Sequence, residues 1–390
     1  MQFIIPLLLV STPSLLAIRG SDEGVDQIDM FREKRQALPE YRRWTNQTLN
    51  YYFDEELPLE MQAMFRDAFK YLRSHTCIKF QETRDTTFTV RIREDKIKHL
   101  CNARFGMQQY VQSLRFSFDC GNWGVAVHEL MHTLGIAHAQ ARSDRDDYLI
   151  VNSNDYNDEL NPNTYNPVPF DYGSLMLYER KEGRIPRDPE YNYTMGNLRV
   201  AFYDMMLLNI FYKCNCDSHP KLECQHGGYQ NPAKCDECLC TDGFTGKLCD
   251  AMEGHVVEAS TEWKASGFVR KRRSGSLPDT TPVLFYFHVT APPGATIEVR
   301  LTQLSGFFCQ NTCDFNGVEI KYKEDRRITS PLVCCDNDNL WNKTRSTTNS
   351  PLVIVKYGDD RGPRLEFEYR YVPGNGTAKT ADLLNNTIGQ

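Results

Sequence analysis

The stretch HELMHTLGIAH, residues 128–138, limits the fold of this chain more than any other feature of its sequence. His128 and His132 are four residues apart, so on a helix both side chains project from one face. Gly135 follows, and a residue without Cβ can adopt a left-handed backbone conformation that ends a helix. The chain can then turn back towards the helix, whereas a continuing helix would carry His138 to the opposite side. The pattern therefore predicts a helix, a glycine turn and a cluster of three histidines.

Three imidazoles in this arrangement are suited to one Zn²⁺ ion, which binds histidine nitrogens at about 2.0–2.1 Å. Three protein ligands leave a fourth position for water, which is typical of a catalytic rather than a structural zinc. Glu129 is suited to accept a proton from that water, whose pKa the metal can lower to about 7. We therefore expect one Zn²⁺ per chain, with His128, His132 and His138 as metal ligands and Glu129 as the general base. The alternative is that these four residues only pack in the protein core, in which case the whole pattern would be a coincidence.

The composition is that of a soluble globular protein of two or three domains, since 390 residues are 41% hydrophobic and 25% charged. A net charge of −6 gives no reason to expect a nucleic acid partner. The N-terminal residues 1–17, MQFIIPLLLVSTPSLLA, predict a secretory signal peptide because a short apolar run precedes small and polar residues. No later stretch has the roughly 18 apolar residues of a transmembrane helix. We therefore expect a secreted, extracellular protein without a membrane anchor.

Residues 18–35 are interpreted as a propeptide. The segment is acidic and ends in FREKR, which resembles the R-x-K-R site of secretory processing proteases, so we expect cleavage after Arg35. The alternative is a solvated run of charge, which is the favoured interpretation of a second basic stretch, RKRR at residues 270–273. Three propeptide carboxylates are candidates to shield the metal: Asp22, Asp26 and Asp29.

The cysteines divide the rest of the chain. All 14 fit an oxidising compartment. They are sparse in residues 36–214, where Pro58 begins an amphipathic helical pattern and residues 88–92 and 114–118 alternate as strands do, which predicts an α+β domain. Residues 215–250 hold six cysteines and predict a small disulfide-rich module, although the C-x-x-C pair within it leaves zinc as a less favoured alternative.

The C-terminal part is rich in predicted strands. Residues 251–375 contain short apolar runs separated by Pro, Gly and Asn/Asp clusters, which predicts an all-β sandwich, and residues 376–390 are a polar tail. The expected fold is therefore multidomain. The chain also has five N-x-S/T glycosylation sequons, at Asn46, Asn192, Asn342, Asn375 and Asn385.

Several motifs resemble one family of proteases. Residues 128–146, HELMHTLGIAHAQARSDRD, are similar to the histidine motif and the R-x-D-R-D tail of the astacins, which are metzincin zinc proteases. FDYGSLMLY at 170–178 resembles the Met-turn of that family, and HTCIKF at 75–80 extends the match. Residues 238–249, CLCTDGFTGKLC, resemble the end of an EGF-like module, and APPGATIEV with its later cysteines resembles a CUB domain. This order of modules is similar to that of nematode astacins.

The resemblance assigns two more site residues. It implies that Met176 forms a hydrophobic floor beneath the metal, and that Tyr178 is a hinged fifth ligand that leaves the zinc and stabilises the tetrahedral oxyanion. Without the resemblance, both residues would be interpreted as core packing.

The resemblance also implies disulfide pairings. They are Cys77–Cys214, Cys101–Cys120, Cys216–Cys235, Cys224–Cys238 and Cys240–Cys249. The pairing among Cys309, Cys313, Cys334 and Cys335 stays open.

The chain departs from the family pattern at four places. Ala139 stands where the family has a Glu that holds the new N-terminus of the mature enzyme, and Leu177 replaces the histidine of the Met-turn. The propeptide lacks the F-x-G-D segment that blocks the zinc, and CNARFG at 101–106 differs from C-x-S-x-V-G. None of these changes removes a metal ligand or the base, so activity is expected while the activation switch differs.

We therefore predict a secreted zinc endopeptidase that cleaves extracellular proteins or peptides. The rival hypothesis is an inert scaffold in which the EGF-like module and the CUB-like domain bind a protein partner. A third hypothesis, hydrolysis of a non-peptide ester or amide, has no support in the sequence. A pseudoenzyme usually loses a ligand or the base, and this chain keeps all five residues: His128, Glu129, His132, His138 and Tyr178.

Overall fold

The computed structural model describes residues 42–84, 87–161, 164–267, 283–336, 341–358 and 363–374. Several predicted features lie outside these residues: the signal peptide, the propeptide with its processing site, the basic stretch 270–273, two of the sequons and the C-terminal tail. Of the sequons inside them, Asn46 and Asn342 are exposed and Asn192 is half-buried. Within the described residues, no helix combines the length and the apolarity needed to cross a membrane.

Within the described residues, the N-terminal part combines three helices with a five-stranded sheet. The helices are α1 (Leu59–His75), α2 (Trp123–Thr133) and α3 (Phe202–Phe211). The sheet contains β1 (Thr48–Phe53), β2 (Lys79–Glu82), β3 (Val90–Glu94), β4 (Cys101–Ala103) and β5 (Gln112–Phe116) in the order β2-β1-β3-β5-β4. All neighbours pair in parallel except β4, which runs antiparallel to β5 at the sheet edge.

A small two-stranded sheet and several short helices follow or flank this framework. The sheet pairs β6 (Leu149–Val151) with β7 (Arg184–Pro186). The 3-10 helices are three residues long each: Thr45–Gln47, Phe118–Cys120, Ala139–Ala141, Arg145–Asp147, Tyr156–Asp158 and Pro189–Tyr191.

The predicted amphipathic helix is α1. Pro58 directly precedes its first residue, and the six apolar positions of the pattern are all buried: Met61, Met64, Phe65, Ala68, Phe69 and Leu72. The two predicted strands exist but their limits are displaced by two residues, so that β3 starts at Val90 and β5 starts at Gln112. Pairing decides these limits, because Val90 lies opposite Gln112 in the parallel ladder while Phe88 is exposed.

The disulfide-rich segment forms two small ladders. One pairs β8 (Tyr229–Gln230) with β9 (Cys238–Leu239), and the other pairs β10 (Phe244–Thr245) with β11 (Ala251–Met252).

The described residues of the C-terminal part form nine strands in two larger sheets. The strands are β12 (His255–Glu258), β13 (Lys264–Ala265), β14 (Leu284–Thr290), β15 (Thr296–Ser305), β16 (Gly317–Lys321), β17 (Leu332–Val333), β18 (Arg345–Thr347), β19 (Leu352–Tyr357) and β20 (Arg364–Val372). Five of them form a sheet in the order β12-β14-β19-β16-β17, and the other four form a sheet in the order β13-β20-β15-β18.

These two larger sheets share one hydrophobic core. Phe287 and Ile354 from the first sheet are buried together with Ile297, Leu301 and Phe367 from the second. Alternate residues of β15 are buried, as expected for a strand with one face on a core. The β-rich character predicted for this part is therefore confirmed.

The seven disulfides include all five of the expected pairs. The Cys77–Cys214 bond joins residues 137 positions apart and links the two ends of the N-terminal part. The four cysteines left open pair as Cys309–Cys335 and Cys313–Cys334. A crosslink over a long loop restricts the unfolded chain most in the loop-entropy model, so the first bond is expected to stabilise the fold strongly.

Candidate active site

Helix α2 carries the first two histidines and ends where the sequence predicts. The Asn122 side chain accepts a 2.7 Å hydrogen bond from the Gly124 amide and caps its N-terminus. Gly135 has φ +98°, the left-handed conformation expected of it, and the Ile136 amide donates to the Met131 carbonyl at 2.9 Å. The chain therefore reverses direction within three residues of the helix end, and the next segment returns towards the site.

This reversal brings the three predicted histidines together. Each offers one ring nitrogen, and these three atoms all lie within 4.8 Å of one another. The Nε2 atoms of His132 and His138 are 3.0 Å apart. All three side chains are buried. The sequence prediction of one compact histidine cluster is thus met by the geometry.

Backbone carbonyls orient two of the rings. His128 Nδ1 lies 2.9 Å from the Leu175 carbonyl, and His132 Nδ1 lies 2.7 Å from the Ile136 carbonyl. A carbonyl can only accept, so Nδ1 carries the proton and Nε2 keeps its lone pair for a metal. In a tetrahedral zinc site with bonds of about 2.0–2.1 Å, ligand nitrogens are roughly 3.3 Å apart, which is close to the 3.0 Å between the Nε2 atoms of His132 and His138. The cluster therefore fits a zinc ion.

Burial keeps these ligands neutral. It lowers the pKa of His128 to about 4, although the hydrogen bond to Leu175 opposes this shift. The pKa of His132 is well below its usual value, first because of burial and then because of the neighbouring His128. Burial and the other two histidines likewise lower the pKa of His138. Neutral imidazole is the form that binds a metal.

Glu129 lies one residue after the first histidine and is buried. Within the part of the chain that the structure describes, no group hydrogen-bonds its Oε2. Burial raises the pKa of Glu129 to about 8, so its carboxylate would be a stronger base than a solvated one. A cation in the cluster would favour the ionised form. Among the described residues, a buried carboxylate oxygen without a hydrogen-bond partner, one residue from a candidate metal ligand, is suited to a metal-bound water.

The segment 170–178 lies against the same cluster. Its Leu175 carbonyl is the partner of His128, and the Met176 side chain is fully buried in the core. Asp204 of α3 holds this segment through the Ser174 hydroxyl at 2.6 Å and the Leu175 amide at 2.8 Å. The Tyr178 ring lies 4.2 Å from the His138 ring, measured between centroids. The structure therefore brings the three histidines and Tyr178 together, and Glu129 follows His128 directly on α2.

The similarity of this chain to known proteins identifies its family. A model of the peptidase family described as Astacin matches residues 36–213. Zinc metalloproteinase nas-20 of Caenorhabditis elegans is 60% identical over 370 residues, which cover 93% of this chain and 96% of that protein. This chain belongs to the astacin family. It is a zinc metalloproteinase, as predicted.

Further comparisons include a second relative and a solved structure. Zinc metalloproteinase nas-17 of Caenorhabditis elegans is 37% identical over 372 residues and is matched over 91% of this chain and 85% of its own length. Among solved structures, High choriolytic enzyme 1, a hatching enzyme zinc-protease from Oryzias latipes, is 25% identical. The match covers 44% of this chain and 94% of that one, with a TM-score of 0.40.

Two departures from the astacin pattern lie in one apolar cluster. Ala139 and Leu177 are both buried there, together with Leu149, Phe170 and Tyr191. The Ala139 amide donates to the Met176 carbonyl at 2.8 Å, which joins the third-histidine turn to the segment 170–178. Where the family pattern has a glutamate and a histidine, this chain therefore has two apolar side chains in the same cluster.

The segment CNARFG packs beside the histidine helix. The Gly106 amide donates to the His132 carbonyl at 2.9 Å, and the Phe105 ring lies 4.7 Å from the His132 ring. The first three residues of this segment form β4, which pairs on one side only among the described residues, with β5. Among the described residues, an edge strand of the sheet therefore leads directly to the candidate site.

Sequence reasoning missed three residues that contact Tyr178 or its neighbours. The Gln140 side-chain oxygen accepts from the Tyr178 amide at 3.3 Å. The Arg184 guanidinium lies over the Tyr178 ring, 5.3 Å from its centroid, and Asp158 forms an ion pair with that guanidinium. Gln140 lies two residues after the third histidine, and this closeness in sequence was a usable signal. No local pattern links Asp158 with Arg184.

Proposed function

We propose that this astacin-family enzyme is a secreted endopeptidase that hydrolyses internal peptide bonds of extracellular proteins. Its proposed zinc ligands are His128, His132 and His138, with Glu129 as general base and Tyr178 as the oxyanion donor. The observation that carries the proposal is the three converging imidazoles, together with the buried carboxylate of the adjacent Glu129, one oxygen of which has no hydrogen-bond partner among the described residues. This arrangement suits a hydrolase better than an inert scaffold, which has no need to bury an unsatisfied acid.

Bound zinc supplies Lewis acidity, which acidifies a water and polarises a substrate carbonyl. The Glu129 carboxylate then accepts the proton of the attacking water and delivers it to the leaving amine. His128 and His132 stay fixed by their carbonyl partners during this transfer. The Tyr178 hydroxyl donates to the oxyanion of the tetrahedral intermediate.

The edge strand β4 offers a way to bind the substrate. A polypeptide in extended conformation can add to an open sheet edge through backbone hydrogen bonds, with little dependence on its side chains. Because β4 leads to Phe105 and the histidine helix, such a strand would pass in front of the cluster. This supports cleavage within a chain rather than at its end.

The C-terminal parts are proposed to be an EGF-like module and a CUB-like domain. The disulfide order in residues 215–250, first to third, second to fourth and fifth to sixth cysteine, supports the former. Two sheets on a shared core support the latter. The disulfides also support an oxidising compartment, in agreement with the proposed secretion. An extracellular protein partner of the CUB-like domain is part of this proposal.

The proposal is tested with wild-type protein and Glu129→Gln after processing. Metal analysis should give one zinc per folded chain for both, since Glu129 is not a ligand. Chelator-sensitive cleavage within unfolded protein substrates, mapped by mass spectrometry, should be seen for the wild type. The rate of this cleavage should be about a thousandfold lower in the variant because the proton acceptor is lost.

Each outcome bears on a separate part of the proposal. Folded wild type without zinc would contradict the metal site, and cleavage confined to chain ends would contradict the endopeptidase. Full activity of Glu129→Gln would remove only the general-base assignment. Zinc-loaded wild type without any peptidase activity would favour the scaffold hypothesis.

A further inference from the structure

Arg184 is a buried cation beside the proposed active site. It is the first residue of β7 and is only 2% exposed. A tight turn brings it there: Lys181 and Arg184 exchange backbone hydrogen bonds of 3.0 Å, and Gly183 at φ +79° lets the chain reverse. Because the turn folds the chain back on residues 178–179, Arg184 returns to the segment that ends in Tyr178.

The guanidinium makes three contacts with Tyr178 and Glu179. Its Nε and Nη2 atoms both donate to the Glu179 carbonyl, at 3.1 and 3.0 Å. Its carbon atom lies 5.3 Å from the centre of the Tyr178 ring, which is within the range of a cation–π interaction. Arg184 therefore holds both the Tyr178 ring and the backbone of the residue that follows it.

Asp158 fixes the guanidinium in turn. It forms an ion pair with Arg184 Nη1, and its side chain is fully buried. Lys181 adds a second ion pair to Asp158 at 3.3 Å. The carbonyl of Asp158 accepts from Arg145, which also donates to the Gln140 carbonyl at 2.8 Å. Since a buried charge is tolerated only with partners, this network keeps the guanidinium in one place.

The position of Tyr178 depends on these contacts. Its ring lies against His138, and its amide donates to Gln140 at 3.3 Å. A side chain that must present its hydroxyl to a transition state needs a fixed ring, because a small misplacement lowers the rate strongly. Arg184 covers the ring and also anchors Glu179, so it restricts the ring and the adjacent backbone together.

We propose that Arg184, anchored by Asp158, is a positioning residue for Tyr178 in the hydrolytic step. The proposal rests on the proposed function of Tyr178 as oxyanion donor. Arg184 acts through the tyrosine and not by contact with the substrate or the metal. It sets the place of the tyrosine ring beside the third histidine.

The test uses the full-length, processed enzyme and removes the ion pair as a unit. Replacing Arg184 alone would leave the Asp158 carboxylate buried with only Lys181, so the variant is Asp158→Asn with Arg184→Gln. We expect kcat to fall about ten- to a hundredfold, with KM changed less than about twofold, because only an interaction used in the transition state is lost. The rate of zinc loss to a chelator should stay within about twofold of the wild type.

The decisive measurement repeats this change in a Tyr178→Phe background. If Arg184 acts through Tyr178, the loss of kcat caused by the paired change should shrink to about twofold or less there. Arg184→Lys keeps the charge and the partner of Asp158 but lacks the planar fork, so its kcat should lie between wild type and the paired variant. The matched control is Arg300→Gln with Glu368→Gln, which removes an ion pair of 2.6 Å between β15 and β20 and should leave kcat unchanged.

The inference is overturned by an unchanged kcat in the paired variant, or by an equal loss with and without the Tyr178 hydroxyl. It is also overturned if faster zinc loss accounts for the whole effect. A failure of the proposed function gives a different result. The wild type would then lack chelator-sensitive cleavage, or the kcat of Tyr178→Phe would equal that of the wild type. Should the paired variant not fold, Arg184→Lys in both backgrounds gives the same comparison.

Discussion

At the scale of single residues, Tyr178 is distinguished from a packing tyrosine by its neighbours. Its ring lies 4.2 Å from the ring of a metal-ligand candidate, His138, and 6.1 Å from that of His128. A packing role requires only the ring, whereas a catalytic role requires the hydroxyl. The two roles are separated by removing the oxygen alone.

We therefore expect Tyr178→Phe to lower kcat by roughly ten- to a thousandfold, the range for losing one transition-state donor, with KM little changed. Steady-state kinetics on a peptide substrate measures both constants. Thermal unfolding of the variant is the control, because the ring and its contacts remain. An unaltered kcat would assign Tyr178 to packing.

At the scale of elements, the turn after α2 decides whether the third histidine can join the other two. Gly135 at φ +98° is a conformation that costs an L-residue about 1–2 kcal/mol. A side chain there would also push the backbone towards a continued helix, which carries His138 away from the cluster. The conformation of this turn therefore affects both the stability of the fold and the affinity for the metal.

Gly135→Ala should thus destabilise the fold by about 1–2 kcal/mol and also weaken zinc binding by roughly tenfold or more. Gly294→Ala is the matched control, since Gly294 has φ +79° in the C-terminal part with nothing within 4 Å of a new Cβ. The control should lose similar stability and keep its zinc affinity. Denaturation and chelator competition measure the two effects, and equal zinc affinity in both variants would contradict the role of the turn.

At the scale of the whole molecule, the C-terminal parts are joined to the catalytic part by a partly buried network of ion pairs. Arg199 bridges Asp242 of the disulfide-rich segment at 3.3 Å and Glu319 of β16 at 3.4 Å. Lys321 pairs with the same two carboxylates, at 3.5 and 3.1 Å. The neighbouring cations hold the pKa of Asp242 below its usual value despite burial. A cavity of about 390 Å³ lies at this junction.

Arg199→Met should lower the free energy of unfolding by about 2 kcal/mol, because the buried Glu319 and the partly exposed Asp242 then share one lysine. Denaturant titration with intact disulfides measures the change. Arg300→Gln, which removes a half-exposed partner of Glu368, should cost less than about 1 kcal/mol. A similar small effect at Arg199 would mean that the three parts are held together by other contacts.

The mature N-terminus is a second whole-molecule prediction. Cleavage after Arg35 is expected to be required for full activity, but the freed ammonium would find no acid at Ala139, which is buried among apolar side chains. Burying an unpaired charge there is unfavourable, so we expect this terminus to stay solvated.

Mature forms beginning at Gln36, at Leu38, and with two added residues should therefore differ in kcat/KM by less than about threefold. The uncleaved form is the control and should be much less active. A loss above roughly tenfold in either altered form would show that another acid holds the terminus.

Part of the site was predictable because its information is local. The spacing of His128, Glu129 and His132 matches helical geometry, so their place on one helix was predictable. The turn at Gly135 was predictable from the left-handed backbone conformation that glycine adopts easily. The buried face of α1 was predictable in the same way, from the helical spacing of its apolar residues. The resemblance to astacins added Tyr178 and five disulfide pairs, which no spacing would have supplied.

The sequence by itself determined the histidine cluster, the family and the order of the parts, since these depend on short motifs with fixed geometry. Only the tertiary structure decided that Asp158 meets Arg184 above Tyr178, that Ala139 and Leu177 share one apolar cluster, and that Cys309 pairs with Cys335. The physical reason is that such contacts join residues far apart along the chain. Their partners are chosen by the packing of whole elements, and local patterns do not record that choice.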